Sequence, residues 1–369
     1  MRSLSLLGCI ISAAAGIRAF AALPQVLVQT ISGQPNSGPA YAELISNASG
    51  FDGPKIHNLN NTSFDWWYFD VIADDFETSA SFVFFTATPD GLFGGVPPLD
   101  TATWLLAVAS FPNGSFTTIL TADELVVTTA GDGSSGAFSG ATASWTGAAD
   151  MSTHTLLFNA PDSDLTGTVT MQSTAPAHFP CGPASEGAGQ SLALGQYLGW
   201  FNAVPAASAH VDINVGGTQL TFSGHGYHDK NWGAVPTEET VRSWYWGHAS
   251  LGPYSVVWFE HINLDGTEGT SGYLAENSTI LSSSCAGVTV RPTGKGAVHP
   301  PTPATPLPSG FSVSLEVPGR GSFELSAKNI NVIAQQDGVY TRWLGKLSGG
   351  FVDENESYEG IAHYEQFTF

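Results

Sequence analysis

The chain has 369 residues, of which 42% are hydrophobic and 12% are charged, and its 32 Asp and Glu residues outnumber its 11 Lys and Arg residues. The resulting formal charge of −21 repels phosphate backbones and anionic membrane surfaces, so we expect no nucleic-acid partner. The length is sufficient to bury one or two sizeable hydrophobic cores.

The first residues have the pattern of a secretory signal peptide. Arg2 is a short positive region, residues 4–15 are apolar, and residues 19–21 (Ala-Phe-Ala) form a small-x-small cleavage site. This pattern predicts a signal peptide over residues 1–22 and a protein of the secretory pathway, secreted or retained in an endomembrane or vacuolar compartment. No later stretch reaches the roughly 18 apolar residues of a spanning helix, so we expect no integral membrane segment in the mature chain.

Sequons and cysteines agree with export. The Asn-x-Ser/Thr pattern predicts glycosylation at Asn47, Asn60, Asn61, Asn113, Asn277 and Asn355. Cys9 lies in the predicted signal peptide, which leaves Cys181 and Cys285. In an oxidising compartment these two thiols can form one disulfide, and free buried thiols are the alternative.

Beyond an irregular lead-in predicted for residues 23–62, the chain consists of short β-branched and aromatic runs. Residues 66–72, 80–88 and 103–111 are examples, and turn residues such as Gly, Pro, Asn and Asp separate them. No long window has the spacing of an amphipathic helix, so the sequence predicts an all-β protein.

An aromatic strand, a turn and a second apolar strand occur once after residue 64 and again after residue 243. This degenerate repeat predicts two consecutive antiparallel β-domains. We expect the N-terminal β-domain over residues 63–236 and the C-terminal β-domain over residues 237–369.

The most concentrated polar stretch is residues 224–233, Gly-His-Gly-Tyr-His-Asp-Lys-Asn-Trp-Gly. On a strand, successive side chains face opposite ways, so His225, Tyr227 and Asp229 share one face and His228 lies on the other. Burying such a polar row without partners costs free energy. The row is therefore either a satisfied polar network that closes a β-domain or one wall of a pocket.

Several other site chemistries lack support. His225 and His228 stand three residues apart and face opposite sides of a strand, and no HExxH pattern accompanies them, so we expect no metal site. No G-x-S-x-G turn indicates a Ser-His-Asp hydrolase, and no Gly-rich phosphate loop precedes a helix. Asp65 and Glu260 have no spacing that favours glycoside cleavage. We expect no cofactor.

Ten tryptophans suggest a different kind of site. Aromatic side chains offer large flat surfaces with few rotamers to freeze, which suits a pocket for a small apolar, conjugated substrate. Trp246 and His248 share one face of a predicted strand, although core packing is the alternative for each indole. Lys346 lies in an apolar, Gly-rich strand, where it either contacts a substrate carbonyl or lies on the surface of an edge strand.

Three separated motifs resemble one superfamily. Asp-Trp-Trp-Tyr-Phe-Asp at residues 65–70, Gly-Tyr-His-Asp-Lys-Asn-Trp-Gly at residues 226–233 and Glu-Ser-Tyr-Glu-Gly at residues 356–360 are similar to the double-lipocalin superfamily. That group includes carotenoid hydratase-like and AttH-like proteins and the fungal Diels–Alderases, which the last motif resembles most. The resemblance implies a β-sandwich or barrel-like N-terminal domain, a lipocalin-like C-terminal barrel, and a cofactor-free [4+2] cyclisation near their junction.

The resemblance also implies positions for the site. Asp65 is similar in place to an acidic residue of the decalin-forming members, and Trp343 and Lys346 are the nearest counterparts of a Trp and a Lys that hold the substrate carbonyl. The expected catalytic residues are Lys346, His225 and Tyr227. The expected substrate-binding residues are Asp65, Trp67, Tyr197, Trp246, His248 and Trp343.

The predicted function is a cofactor-free pericyclase of secondary metabolism. The signal peptide and sequons favour a hetero-Diels–Alderase that joins a tropolone-derived quinone methide to a humulene-type sesquiterpene. The first alternative is a decalin-forming Diels–Alderase that acts within one polyene, and the second is a non-catalytic lipocalin-like binder of apolar metabolites. The third is a hydratase or isomerase with Asp229 and Tyr227 as acid and base. The sequence does not predict the oligomeric state.

Overall fold

The computed structural model describes residues 26–92, 96–354 and 356–369, so the predicted signal peptide and the Asn355 sequon lie outside the described residues. The all-β prediction is confirmed, because the described chain is built from antiparallel strands and contains only single-turn 3-10 helices. Within these ranges, no helix combines the length and the apolar character needed to cross a bilayer.

The strands are β1 Val26–Ser32, β2 Tyr41–Ala42, β3 Ile56–His57, β4 Phe64–Ile72, β5 Ser79–Ala87, β6 Thr103–Phe111, β7 Gly114–Ala122, β8 Glu124–Ala130, β9 Gly133–Phe138, β10 Ala143–Gly147, β11 Thr153–Ala160, β12 Leu165–Ser173, β13 His178–Phe179, β14 Gly182–Pro183, β15 Gly199–Val215, β16 Thr218–Gly233, β17 Val241–Leu251, β18 Tyr254–Asn263, β19 Glu268–Glu276, β20 Thr279–Ser284, β21 Val288–Thr293, β22 Gly310–Val317, β23 Gly321–Gln336, β24 Tyr340–Phe351 and β25 Tyr358–Thr368. The 3-10 helices are Pro89–Gly91, Ser139–Ala141, Pro161–Ser163, Ala184–Glu186 and Thr237–Glu239.

The N-terminal sheet runs in the order β1-β8-β9-β10-β11-β12-β15-β16-β4-β5-β6-β7, with β13 and β14 beside β15. It wraps around an apolar core that includes Trp67, Phe69 and Trp145. The lead-in, which was expected to be irregular, contains the strand Val26–Ser32. This strand pairs with β8 at the edge of the sheet, and exposed and half-buried residues alternate in its second half.

The C-terminal sheet runs in the order β20-β19-β18-β17-β25-β24-β23-β22-β21 and encloses a second core that includes Tyr245, Trp258 and Trp343. Residues 234–240 connect the two sheets, and they contain the 3-10 helix Thr237–Glu239. This long antiparallel sheet has the connectivity of a meander along β17–β20, with β25 returning beside β17.

A third apolar cluster lies between the two domains, and strand alternation creates it. Trp67 and Phe69 of β4 face the N-terminal core, whereas Trp66 and Tyr68 face the C-terminal domain. There they meet aromatic side chains of β17, among them Trp246. A one-residue step along β4 therefore decides whether a side chain is core or domain boundary.

Covalent and polar contacts also join the domains. Cys181, in the turn between β13 and β14, is disulfide-bonded to Cys285, just after β20. Nearby, Ser271 Oγ donates a hydrogen bond to the carbonyl oxygen of Pro180 (2.6 Å). Among the sequons in the described ranges, the exposed asparagines are Asn47, Asn61, Asn113 and Asn277, and Asn60 is partly buried.

A buried ion pair fixes the junction of β4 and β16 inside the N-terminal domain. Lys230 Nζ donates to Asp65 Oδ1 (2.5 Å), and the two side chains are 0% and 1% exposed. Asp65 Oδ2 also accepts the backbone N–H of Lys55 (2.7 Å), and the ammonium lies 4.3 Å from the ring centre of Trp67. The carboxylate is thus the counter-ion of a fully desolvated ammonium.

Asp65→Asn is expected to destabilise the protein by about 3–5 kcal/mol, because removing one partner leaves a buried charge without compensation. The matched control is Asp74→Asn, which removes the carboxylate of the exposed pair Asp74–His225 and should cost less than about 1 kcal/mol. Urea unfolding of both variants measures the two free energies. Equal costs would contradict the assigned role of Asp65.

Candidate active site at the domain boundary

A cavity of about 460 Å³ lies between the two domains. Its N-terminal wall comes from β4–β7 and β16, and its C-terminal wall comes from β17, β18 and β23–β25. The larger apolar lining residues are Trp66, Tyr68, Val83, Phe85, Trp104, Leu106, Ile119, Trp244, Trp246, Phe259, Tyr340 and Phe367. Size and lining are typical of a site for a small, mostly apolar molecule.

Cross-strand pairing places polar groups among these rings. In the antiparallel pairing of β16 with β4, Asp229 lies opposite Tyr68 and Asn231 lies opposite Trp66. All four side chains line the cavity, because residues two apart on a strand share a face. The motif at residues 226–233 thus contributes a carboxyl group to an aromatic wall.

Asp229 is the carboxyl group best placed for proton transfer. Its Oδ2 accepts hydrogen bonds from Trp200 Nε1 (2.8 Å) and from the Tyr227 hydroxyl (2.8 Å). Among the described residues, no group donates to its Oδ1, and the carboxyl borders the cavity. Burial outweighs the two donated hydrogen bonds and raises the pKa of Asp229 to about 7. Near neutral pH, a substantial fraction of Asp229 is therefore protonated and can donate a proton into the cavity.

Asp70, two strand positions from Tyr68, has the opposite environment. Its Oδ2 accepts hydrogen bonds from the Tyr68 hydroxyl (2.7 Å), His248 Nε2 (3.0 Å) and His363 Nδ1 (2.8 Å). Burial acts to raise the pKa of Asp70, but the two imidazoles outweigh burial and lower the pKa below its usual value. Asp70 is thus a carboxylate that ties β4 to β17 and β25, and it anchors the Tyr68 hydroxyl.

A second ion pair lines the C-terminal wall. Arg342 Nε and Nη2 donate to Glu365 Oε2 (3.0 and 2.6 Å), and Trp244 Nε1 donates to Glu365 Oε1 (3.0 Å). The guanidinium carbon lies 4.9 Å from the ring centre of Tyr68 and 5.4 Å from that of Tyr340. The hydrogen bonds within the pair hold both charged groups in place. Among mostly apolar neighbours, these charges are screened less than they would be in water.

Three of the residues predicted for the site lie together at the domain boundary. Trp246 lines the cavity and donates from Nε1 to the Tyr227 hydroxyl (3.2 Å), which in turn donates to Asp229. The Tyr227 ring stacks on His248, with ring centres 4.4 Å apart. Trp246 is therefore part of the cavity wall, and Tyr227 and His248 lie behind it. Tyr227 orients Asp229, and His248 orients Asp70.

Three other predicted residues lie in the domain interiors. Trp67 faces the N-terminal core, because alternation on β4 turns it away from Trp66, and Trp343 faces the C-terminal core for the same reason on β24. Asp65 is paired with Lys230. None of the three lines this cavity, so the cavity does not support their expected contacts with a substrate.

The remaining predicted residues lie at the surface. The His225 side chain is 36% exposed and pairs with Asp74, because this part of β16 lies outside the domain boundary. The Lys346 side chain is 45% exposed and pairs with Glu359 (2.7 Å). Tyr197 is 42% exposed. All three lie outside the cavity lining, so the cavity does not support their expected roles as catalytic or wall residues.

Other residues of the site were missed by sequence reasoning. Asp229 entered only the hydratase alternative, and Tyr68, Arg342 and Glu365 entered none. A usable signal existed for Arg342, because the chain has only 11 basic residues and this one alternates with Trp343. No comparable signal marks Glu365, which comes near Arg342 only through the pairing of β24 with β25.

Comparison with known proteins places this geometry in a family. A family model described as Diels-Alderase-like matches residues 29–292. The quinolone epoxide rearrangement protein asqO of Emericella nidulans is 36% identical over 90% of this chain and 91% of its own length. The quinolone epoxide rearrangement protein penF of Penicillium thymicola is 33% identical over 89% of this chain and 92% of its own length.

A solved structure supports the fold. The crystal structure of CghA with Sch210972 superposes with a TM-score of 0.74 and 18% identity, and the match covers 93% of this chain and 98% of that one. The superfamily resemblance inferred from the three motifs is confirmed by these matches and by the family model.

The raised pKa of Asp229 predicts a pH-dependent effect of Asp229→Asn on stability. The folded chain, with its pKa of about 7, binds this proton more tightly than the unfolded chain, whose Asp pKa is near 3.8, so the contribution of Asp229 to stability falls as pH rises between these values. Relative to wild type, the variant should therefore be more stable at about pH 8 than at about pH 5.

Urea unfolding at both pH values measures this change. The matched control is Asp212→Asn, on the neighbouring strand β15, which removes an exposed carboxylate instead of a buried one. A stability difference for Asp229→Asn that stays the same at both pH values would contradict the raised pKa.

Proposed function

The chain belongs to the Diels–Alderase-like family of secondary-metabolism enzymes, and we propose that it opens and rearranges an epoxide on a flat, conjugated substrate bound at the domain boundary. The observation that carries this proposal is the Asp229 carboxyl group, whose pKa burial raises to about 7 and whose Oδ1 has no donor among the described residues. An acid of that strength, at the wall of an aromatic cavity, suits general acid catalysis near neutral pH.

The proposed step is an isomerisation. Asp229 donates its proton to the epoxide oxygen as one carbon–oxygen bond breaks, and positive charge develops on the released carbon. A neighbouring substituent then migrates with its bonding electrons to that carbon. The hydroxyl group returns its proton to the Asp229 carboxylate as a carbonyl forms, so no atom is gained or lost and no oxidant is needed.

The aromatic wall supports this chemistry. The rings of Trp66, Tyr68 and Trp246 line the cavity, and aromatic faces attract positive charge by about 0.5–2 kcal/mol per contact. Arg342 does not oppose the developing cation with a free charge, because Glu365 neutralises it. The apolar lining also limits water, which would otherwise capture the cation as a diol.

The relatives support the same reaction class. Two relatives, each matched over about nine-tenths of this chain, are named for the rearrangement of a quinolone epoxide. A quinolone is flat and conjugated, and a cavity of about 460 Å³ is within the usual size range for such ligands. We therefore take a quinolone epoxide, or a close analogue, as the substrate class.

A [4+2] cycloaddition is the second candidate, and the family description favours it. In this case the aromatic walls would hold diene and alkene in a reactive arrangement, which is worth up to about 7–11 kcal/mol in ideal intramolecular systems. Asp229 would act as a hydrogen-bond donor to a substrate carbonyl. The union of a tropolonic quinone methide with a humulene-type sesquiterpene is the form that the sequence predicted, and it remains a proposal.

Asp229→Asn is expected to lower kcat/KM for a quinolone epoxide by about 10²–10⁴-fold, because the general acid is lost. For wild type, kcat/KM should fall about tenfold per pH unit above pH 7, where the acid is deprotonated. Chiral LC–MS against a protein-free sample measures both. Asp212→Asn serves as the matched control and should retain the wild-type rate.

Two outcomes would overturn the proposal. In one, the epoxide turns over at the same rate in wild type and Asp229→Asn. In the other, the epoxide is inert while the quinone methide and humulene, or a linear polyene, give a stereodefined adduct faster than without protein. The second outcome would establish the cycloaddition instead.

A further inference from the structure

A cluster of three titratable side chains lies inside the N-terminal domain, away from the domain-boundary cavity. Asp52 lies between β2 and β3, His154 is on β11, and His228 is on β16. Their exposures are 0%, 1% and 0%, and one candidate ligand atom of each lies within 4.8 Å of the other two. Because Asp229 faces the cavity and His228 is its neighbour on the strand, this cluster lies on the opposite face of β16.

His154 is the anomaly in this cluster. Neither of its ring nitrogens has a hydrogen-bond partner in the part of the chain that the structure describes. Its neighbours are the rings of His228 and Phe69, whose centres lie 4.9 and 5.9 Å from its own. A buried imidazole without any partner costs free energy and is rare in proteins, which points to a further group that accepts its lone pair.

The other two side chains are held in place as metal ligands usually are. His228 Nδ1 lies 2.8 Å from the Tyr68 carbonyl oxygen, which can only accept, so Nδ1 carries a hydrogen and Nε2 points to Asp52 Oδ1 at 3.1 Å. Asp52 Oδ2 accepts the Ser134 hydroxyl (2.6 Å). Such outer contacts fix the tautomer and the orientation of ligating histidines and carboxylates.

We propose that Asp52, His154 and His228 bind one divalent first-row transition-metal ion, with Zn²⁺ as its representative. Two imidazoles and one carboxylate suit such an ion, and 3.1 Å between His228 Nε2 and Asp52 Oδ1 fits two ligands that each lie about 2.0–2.2 Å from one metal. The ion takes the place of the proton between these two atoms, and that proton goes to solvent. The lone pair of His154 completes the protein ligands.

A metal ion can approach the site from the protein surface, and its binding would link separate parts of the N-terminal domain. His154 borders a surface groove that is also lined by Thr153, Gly224, His225 and Asp74. A bound ion joins the segment around Asp52 to β11 and β16, which are not neighbours in the sheet. Local sequence patterns do not indicate this set, because Asp52, His154 and His228 lie far apart in the chain and only the folding of the domain brings them together.

The test uses the purified full-length chain after dialysis against a chelator. Calorimetric titration with Zn²⁺ should give one binding event per chain, and repeating it in buffers of different ionisation enthalpy should detect release of a proton. Co²⁺ should give the visible absorption of an ion with nitrogen and oxygen ligands. Zn²⁺ should also raise the melting temperature.

His154→Leu is the decisive variant, because it removes a ligand and fills the same space with an apolar side chain. Its metal-free form should melt at or above the wild-type temperature, while its affinity for Zn²⁺ falls by at least about 100-fold. The control is His210→Ala, which removes an exposed imidazole on β15 and should leave the affinity unchanged.

Three results would overturn the proposal. One is the absence of Zn²⁺ or Co²⁺ binding to wild type at micromolar protein. Another is equal affinity in wild type and His154→Leu. The third is loss of binding in His210→Ala, which would move the ion to the protein surface. None of these results depends on the epoxide chemistry at Asp229.

Discussion

Desolvation of Asp229 between two packed sheets is the physical condition on which the proposed chemistry depends. In water this carboxyl group would be ionised at neutral pH and would have no proton to donate. The aromatic side chains of β4 and β17 exclude water from its surroundings, and burial then outweighs the hydrogen bonds from Trp200 and Tyr227. The fold thus produces an acid by packing, without any unusual functional group.

The same desolvation would be destabilising at other carboxyl groups of the boundary if they lacked partners. Asp70 is surrounded by two imidazoles and a phenol, and Glu365 is paired with Arg342. Asp70 joins β4 to β17 and β25, and Glu365 is held in its ion pair within the C-terminal sheet, whereas Asp229 is left with neutral donors only. The environments of Asp229 and Asp70 move their pKa values in opposite directions. Such a difference commonly lets one carboxyl group act as an acid while its neighbour stays ionised.

The general architecture could be predicted from the sequence because its signals are local. Alternating apolar residues, turn residues and the absence of helical spacing predicted an all-β chain, and three short motifs predicted the family. Burial of the motif at residues 226–233 accounts for its unusual composition, since it carries both Lys230 for Asp65 and Asp229 for the cavity. Lys230 is one of only 11 basic residues in the chain, and it is fully buried in an ion pair.

The site could be predicted only in part because alternation does not say which face of a strand meets the second domain. Trp67 was preferred to Trp66, and Lys346 to Arg342, although in each case the other residue lines the cavity. Pairing between distant strands makes the difference, and the contact of Arg342 with Glu365 arises in this way. The cluster of Asp52, His154 and His228 could not be predicted from the sequence either, because three separate segments of the chain contribute to it.

The central claim is that Asp229 keeps its proton near neutral pH, and infrared difference spectroscopy across a pH titration tests it most directly. Wild type should show a protonated-carboxyl C=O band that disappears with a midpoint near pH 7 and is missing from Asp229→Asn. Burial also raises the pKa of Glu260 to about 8, so Glu260→Gln serves as the control and should retain the Asp229 band. If the band lost in Asp229→Asn titrates near pH 4, as an ordinary aspartate does, Asp229 is not the acid and the proposed chemistry fails.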